Sequence, residues 1–305
     1  MSFRYDEIGK RLKAFRLASA LSADEIARSL GISRTALYRF ERGELAKIET
    51  LEKLAELLGV SIPTLLGVGI EFISSAVAYF ERLRQIEEDS QQITVLAGPI
   101  SYLLSSKEFD SIVEQLLMES IDSDADLKRA SADVRAILEI LRQRKAAFAE
   151  RRPSIVNLVS GLELERMLRS GFVGKAHLPP QKLENRIALA RSEVVHLVNL
   201  IEQAPMGVQI GVVRGALPQT GFQIFRQANR KVLTLSPFRL GENPNVRVGV
   251  AMITEAAEAL ALHENALREM WKHALKGPAA SDFLSRLLDS AKLPSNVRRL
   301  PARST

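Results

Sequence analysis

The sequence predicts two units of different class: an all-α N-terminal unit of five short helices with a helix-turn-helix, and a larger C-terminal α/β unit on a mixed sheet. Three observations carry this. Short apolar patterns of helical period fill the first 67 residues, most of them closed by a glycine. From residue 93 onward, β-type apolar runs are separated in places by long helical patterns. Between 208 and 253, several such runs follow one another without a helix, so the sheet is mixed rather than a strict βαβ series.

Ile8, Leu12 and Phe15 recur on one face of a first helix. Ser22 is placed to cap a second, and Glu25 three positions on completes a capping-box pattern. That helix runs through Ile26 and Ala27 to Leu30, where Gly31 stops it. Ser33 caps a third, with Leu37 and Phe40 inward and Gly43 at its end. Ile48, Leu51, Leu54 and Leu58 line a fourth, closed by Gly59, and Ile62, Leu65 and Leu66 suit a last turn.

Residues 68–90 read as a connecting helix with Ile73, Val77, Phe80 and Leu83 in an apolar stripe. The stripe is either a dimer seam or packing for the chain's own C-terminal unit; the sequence leaves both open. In the α/β unit, residues 91–289, strand-like runs lie at 93–98, 154–159, 208–213, 222–225, 231–236 and 246–253. Long helical patterns cover 124–150, 181–203 and 255–276. Residues 290–305 form a basic tail with two prolines and little apolar content, expected to be flexible.

The 305 residues have an ordinary globular composition, with 46% hydrophobic and 26% charged residues. Cysteine is absent, which excludes disulfides, thiolate metal sites and thiol nucleophiles. The N-terminus lacks the apolar run of a signal peptide, and no uncharged apolar stretch reaches the ~18 residues of a membrane span, so a cytoplasmic protein is expected. The net charge of +6 is concentrated at the ends: residues 1–67 contribute +2, the tail from Ser290 contributes +4, and the region between is neutral. If a polyanion binds, the ends of the chain are therefore the better candidates.

The stretch "LGISRTALYRFERGE" (30–44) shows what such a partner would meet. Leu37 and Phe40 face the core, so Arg34, Thr35, Tyr38, Arg39 and Arg42 point away from it along a rod narrow enough for a DNA major groove. "LSADEIARSLGISRTALYRFERGE" followed by "LEKLAELLGVSIPTLL" resembles the Cro/C1-type (XRE) DNA-binding domain of bacterial and phage repressors, over residues 8–66. The resemblance implies that Arg34, Thr35 and Arg39 read base edges. It implies that Ser33, Tyr38, Arg42 and Lys47 contact phosphates, and that Glu41 pairs with Arg16. Where the family often has a phosphate-touching Gln, this chain has Ala23, with Ser22 beside it as an alternative donor. The resemblance also implies binding of operator DNA as a homodimer, with two recognition helices about 34–36 Å apart.

The rest of the chain carries no catalytic signature. The four histidines are scattered, "GFVGKA" lacks the P-loop spacing, and no G-x-S-x-G elbow or H-x-K-x4-D motif occurs. Neither metal nor cofactor is expected, and the chain is read as a non-enzyme. The loop within "LSPFRLGENPNVRVGVAMI" (235–253) gathers Ser236, Arg239, Asn243, Asn245 and Arg247, residue types able to clamp and orient a carboxylate or phosphate. The same Asn and Pro residues also suit a plain turn. The preferred reading is a transcriptional regulator whose C-terminal unit senses a small molecule or a protein partner. The alternatives are an enzyme with an autoregulatory DNA-binding domain and a protein-interaction factor.

Overall fold

A computed structural model of the chain describes residues 4–44, 46–96, 98–121, 127–174, 178–218, 220–241 and 243–291. The basic tail expected to be flexible lies outside the described residues beyond Ala291, as do Lys175 and His177.

The five N-terminal helices form as the sequence predicts: α1 (Tyr5–Ala18), α2 (Ala23–Leu30), α3 (Arg34–Glu41), α4 (Ile48–Leu58) and α5 (Ile62–Leu66). Leu12, Ile26, Leu37, Leu54 and Leu65 meet in their core. Gly31, Gly59 and Gly67 end α2, α4 and α5 in the left-handed region.

The predicted connecting helix is corrected here. Residues 70–73 are a strand, β1 (Ile70–Ile73), and the helix α6 spans Ala76–Glu88. Ser75 caps α6 by accepting from the Ala78 amide, which breaks the helical period after Ile73. The stripe is not a dimer seam, because Ile73, Val77, Phe80 and Leu83 are all buried in the chain's own core. α6 lies between α1 and the long helix α8 (Leu127–Arg151), over β1 and β2 (Ser90–Leu96). Of the two open readings, packing on the C-terminal unit is the one realised.

The remaining elements are α7 (Lys107–Glu119), β3 (Ser154–Ser160), α9 (Gly161–Ser170), α10 (Pro180–Gln203), β4 (Val208–Val213), β5 (Gly221–Gln227), β6 (Lys231–Ser236), β7 (Ala251–Thr254), α11 (Ala257–His273) and α12 (Pro278–Ser290). The seven strands form one mixed sheet in the order β1-β7-β6-β5-β2-β3-β4. β2, β3 and β4 are parallel, and the other pairings are antiparallel. Parallel pairs need long crossovers, supplied by α7–α8 and α9–α10, whereas antiparallel β5 and β6 are joined by a short turn and β6 and β7 by a loop over 237–250. Ile93, Ile155, Phe225 and Val232 face the main helical layer. The alternate positions Leu96, Leu158, Phe222 and Leu233 pack with α11 and with Leu217.

The helix-turn-helix unit is fastened to this sheet by charge. The Arg11 Nε donates to Glu71 Oε1 at 2.5 Å, and Arg82 donates to both Glu71 oxygens at 3.0 and 3.1 Å. Arg230 reaches Glu7 at 3.1 Å, and Lys10 reaches Asp89 at 3.2 Å. Glu7, Arg11, Glu71 and Arg82 are all buried, so each depends on these partners. Gly67 adjoins the cluster: its φ is +70°, and a Cβ there would fall 2.2–2.5 Å from the Arg11 guanidinium.

Candidate nucleic-acid interface

The α2–α3 turn is set by local chemistry. Ser22 Oγ accepts from the Glu25 amide at 3.3 Å and donates to Glu25 Oε2 at 2.7 Å, while that carboxylate also accepts from the Ser22 amide, completing the capping box. These hydrogen bonds hold the fully exposed Glu25 carboxyl below its ordinary pKa. Gly31 turns the chain at φ +65°, and the Ile32 amide donates to the Ala27 carbonyl. Ser33 Oγ accepts from the Ala36 amide at 3.1 Å and starts α3. Leu37 is fully buried and Phe40 partly so, which fixes the roll of the helix about its axis.

That roll leaves Arg34, Thr35, Arg39 and Arg42 exposed on the outer face. Ser22, Ser33 and Lys47 are exposed beside them. Tyr38 is half-buried: the guanidinium groups of Arg16 and Arg34 stand 5.6 and 5.4 Å from its ring centre, and its hydroxyl accepts from Arg34 Nε at 3.0 Å. This bond and the nearby Asp24 carboxylate, at 3.3 Å, push the Arg34 pKa further up. Arg39 meets Glu44 at 3.3 Å. Exposed pairs of this kind are worth only about 0–1 kcal/mol, so base edges and phosphates can displace them. Glu41 is turned inward and takes both nitrogens of the Arg16 fork, as the resemblance implied.

Sequence reasoning missed the flank contributed from outside the helix-turn-helix. Lys10, Lys13, Tyr38, Arg42 and Arg84 line one groove of about 470 Å³ between α1, α3 and α6. Arg84 is held by Glu81 and Glu88, and Lys13 stands 3.7 Å from Glu81, so Arg42 is its more available cation. No sequence signal marks Arg84, which is 42 residues from Arg42 and reaches it only through the docking of α6 on α1.

The five residues singled out in the 235–253 loop are not brought to one place. Ser236 and Arg239 line a cleft beyond the ends of β2 and β3, together with Tyr79, Tyr102 and Gln223. Asn243 has φ +51°, and the Asn245 side chain ties the loop to Pro237, Arg247 and Val248, so both serve the turn. Arg247 faces a separate cavity beside the helix-turn-helix. His196 is half-buried, with Nε2 3.0 Å from the Leu104 carbonyl oxygen. Among the described residues no cluster of acidic and histidine side chains is placed to hold a metal ion, and no helix is long and apolar enough to cross a membrane.

Residues 12–65 match the helix-turn-helix family model, which agrees with the Cro/C1-type resemblance and takes in most of α1 and all of α2–α5. No curated protein matches the chain. Among solved structures, TrmBL2, an archaeal chromatin protein described as showing a novel mode of DNA binding, is similar at a TM-score of 0.34 and 10% identity, over 88% of this chain and 92% of that one. A likeness that low carries neither fold nor function across.

Proposed function

We propose that this chain is a DNA-binding transcriptional regulator that reads its operator through α3 and has no catalytic step of its own. The observation that carries the proposal is the free outer face of α3, with Arg34, Thr35 and Arg39 exposed on a helix whose opposite side is locked by Leu37. Had that face been covered by the α/β unit, the family match would have said little about activity. Arg34 and Arg39 are the proposed base readers, through the bidentate guanine contact that a guanidinium makes. Ser33, Tyr38, Arg42 and Lys47 are the proposed phosphate contacts, extended by Lys13. Ser22 joins them only if its hydroxyl proton leaves Glu25.

The finer parts of the proposal are dimeric operation and ligand response. An eight-residue recognition helix makes few contacts alone, and two copies on a pseudo-palindrome double them. Ligand response is supported by the size of the α/β unit and by its direct fastening to α1. A duplex selection from random sequence tests the central proposal. The wild type is expected to enrich one motif, and Arg39→Ala to relax it at one position per half-site at a cost of about 1–3 kcal/mol. An unchanged motif removes Arg39 from the base readers, and no enrichment at all removes sequence-specific DNA binding.

A further inference from the structure

We propose that the cavity beyond the ends of β2 and β3 is a binding site for a small uncharged aromatic molecule, a single ring with a hydrogen-bonding edge such as a phenol. Its role as an effector site rests on the ligand-response part of the function proposed above; binding itself does not. The cavity encloses about 140 Å³. An apolar cavity of about 150 Å³ takes one benzene ring, so this volume suits one ring and leaves no room for a second.

Its apolar wall is aromatic. Tyr79 and Phe80 come from α6, Phe109 from α7 and Phe238 from the loop after β6; all four are buried, and Tyr102 beside them is half-buried. The rings are tilted to one another, with centres 5.8 Å apart at 45° for Tyr79 and Phe238 and 6.4 Å apart at 54° for Tyr102 and Phe109. Rings set this way offer both faces and edges to a further ring.

Its polar wall is uncharged and only partly satisfied. Ser101 is 6% exposed, and its hydroxyl has no hydrogen-bond partner among the described residues. Gln223, half-buried on β5, likewise has a carboxamide without a partner there. An unpaired buried polar group costs about 1–3 kcal/mol, so an occupant that bonds to these two removes part of that cost. The Tyr79 and Ser236 hydroxyls are already engaged, with Thr234 Oγ1 at 3.3 Å and the Phe238 amide at 3.0 Å. Charge does not select the occupant. Arg144 pairs with Glu87, and Glu163 and Arg166 have partners of their own. Arg239 has an exposed side chain, so water and salt screen it.

The aromatic wall also supplies the regulatory logic. α6, which carries Tyr79 and Phe80, packs on α1, and α1 packs on α3. A ligand that binds two seatings of α6 unequally favours one of them. DNA that prefers one seating must then change the ligand's affinity, and the ligand must change the DNA's by the same factor.

The experiment titrates the full-length protein with phenol by calorimetry, with benzene (no hydroxyl), cyclohexanol (no aromatic ring) and benzoate (a charge) as companion probes. Phenol is expected to bind at submillimolar concentration, at least tenfold more tightly than each companion. Ser101→Ala and Gln223→Leu should each weaken phenol at least threefold and leave benzene unchanged. Gln223→Phe, with folding checked by circular dichroism, puts a ring into the cavity and should abolish binding. Absence of phenol binding at millimolar concentration overturns the site, as does indifference to both Ser101→Ala and Gln223→Leu. Equal or tighter binding of any companion overturns the ligand class. Affinity for the selected duplex, measured with and without phenol, separates site from sensing. Binding with no change in duplex affinity keeps the site and removes its effector role. A phenol effect on DNA that survives Gln223→Phe keeps sensing and overturns the site. Should the selection enrich no duplex, the regulator reading fails and the titration still decides the site.

Discussion

Arg42 and Arg39 lie three residues apart on the same helix, yet they are expected to fail differently when removed. Arg39 points outward along the face proposed to enter the groove, whereas Arg42 stands at the end of α3, beside Lys13 in the lateral groove. On the proposed docking, a side chain there would meet the sugar-phosphate wall, which orients the protein without specifying sequence. Arg42→Ala should therefore weaken binding to all duplexes alike and lower the slope of log affinity against log salt by about one unit. An unchanged slope would take Arg42 off the phosphates. Both arginines were legible in the sequence because Leu37 and Phe40 fix the inward direction and the helical period does the rest. Arg84 was not legible, since a neighbour from another element leaves no trace in local spacing. Nor was the division of the 235–253 loop, in which Asn245 hydrogen-bonds its own turn while Arg239 and Arg247 face different cavities.

At the scale of the element, α3 is a short helix whose start depends on one hydroxyl. Ser33 Oγ accepts from the Ala36 amide, and its proton remains available to a phosphate oxygen. Two substitutions separate these roles. Ser33→Ala removes the cap and should lower the unfolding free energy by about 0.5–2 kcal/mol. Ser33→Asp keeps an acceptor at the cap and adds a charge favoured at a helix N-terminus. It should hold stability near wild type in urea titrations while weakening DNA binding by repelling phosphate. Wild-type DNA affinity in Ser33→Asp would place Ser33 away from the duplex. Elements with strong local signals were read correctly, including the capping box at Ser22 and the runs that became β3, β4 and β6. β1 was not, because Ile73 falls four residues before Val77 and so mimics the helical repeat. The break comes at Ser75, which caps α6, while Ile73 pairs with Ala251 in the sheet. α7, α9 and α12, short helices of 13, 10 and 13 residues, were also missed. Their burial comes from packing near α10, a long-range relation.

At the scale of the whole molecule, the two units are joined through a largely buried electrostatic cluster, and its response to acid follows from the sign of the Glu7 shift. Burial alone pushes the Glu7 carboxyl up, but the attraction of Arg230, then of Arg82 and Lys10, outweighs it and brings the pKa from 4.5 down to about 2. Glu71, fully enclosed, is lowered in the same direction: burial is again opposed and outweighed, here by Arg82 and Arg11. A carboxylate with a depressed folded pKa contributes stability that is complete above its unfolded pKa and disappears as pH falls through the folded one. Stability should therefore be flat near neutrality and fall between roughly pH 5 and pH 2, by on the order of 3 kcal/mol from Glu7 alone. Urea unfolding measured from pH 6 to pH 2.5 reads this directly. Glu7→Gln should be less stable at pH 6, because Arg230 and Arg82 lose a countercharge, and its acid limb should be shallower than that of the wild type. Lys107→Gln, on the solvated start of α7 and far from the cluster, should leave the limb unchanged. Identical acid limbs in the wild type and Glu7→Gln would mean that the cluster does not control the union of the two units. The fixed seating of α3 relative to the sheet would then need another cause, since α1, which carries Glu7 and Arg11, packs on both α3 and α6.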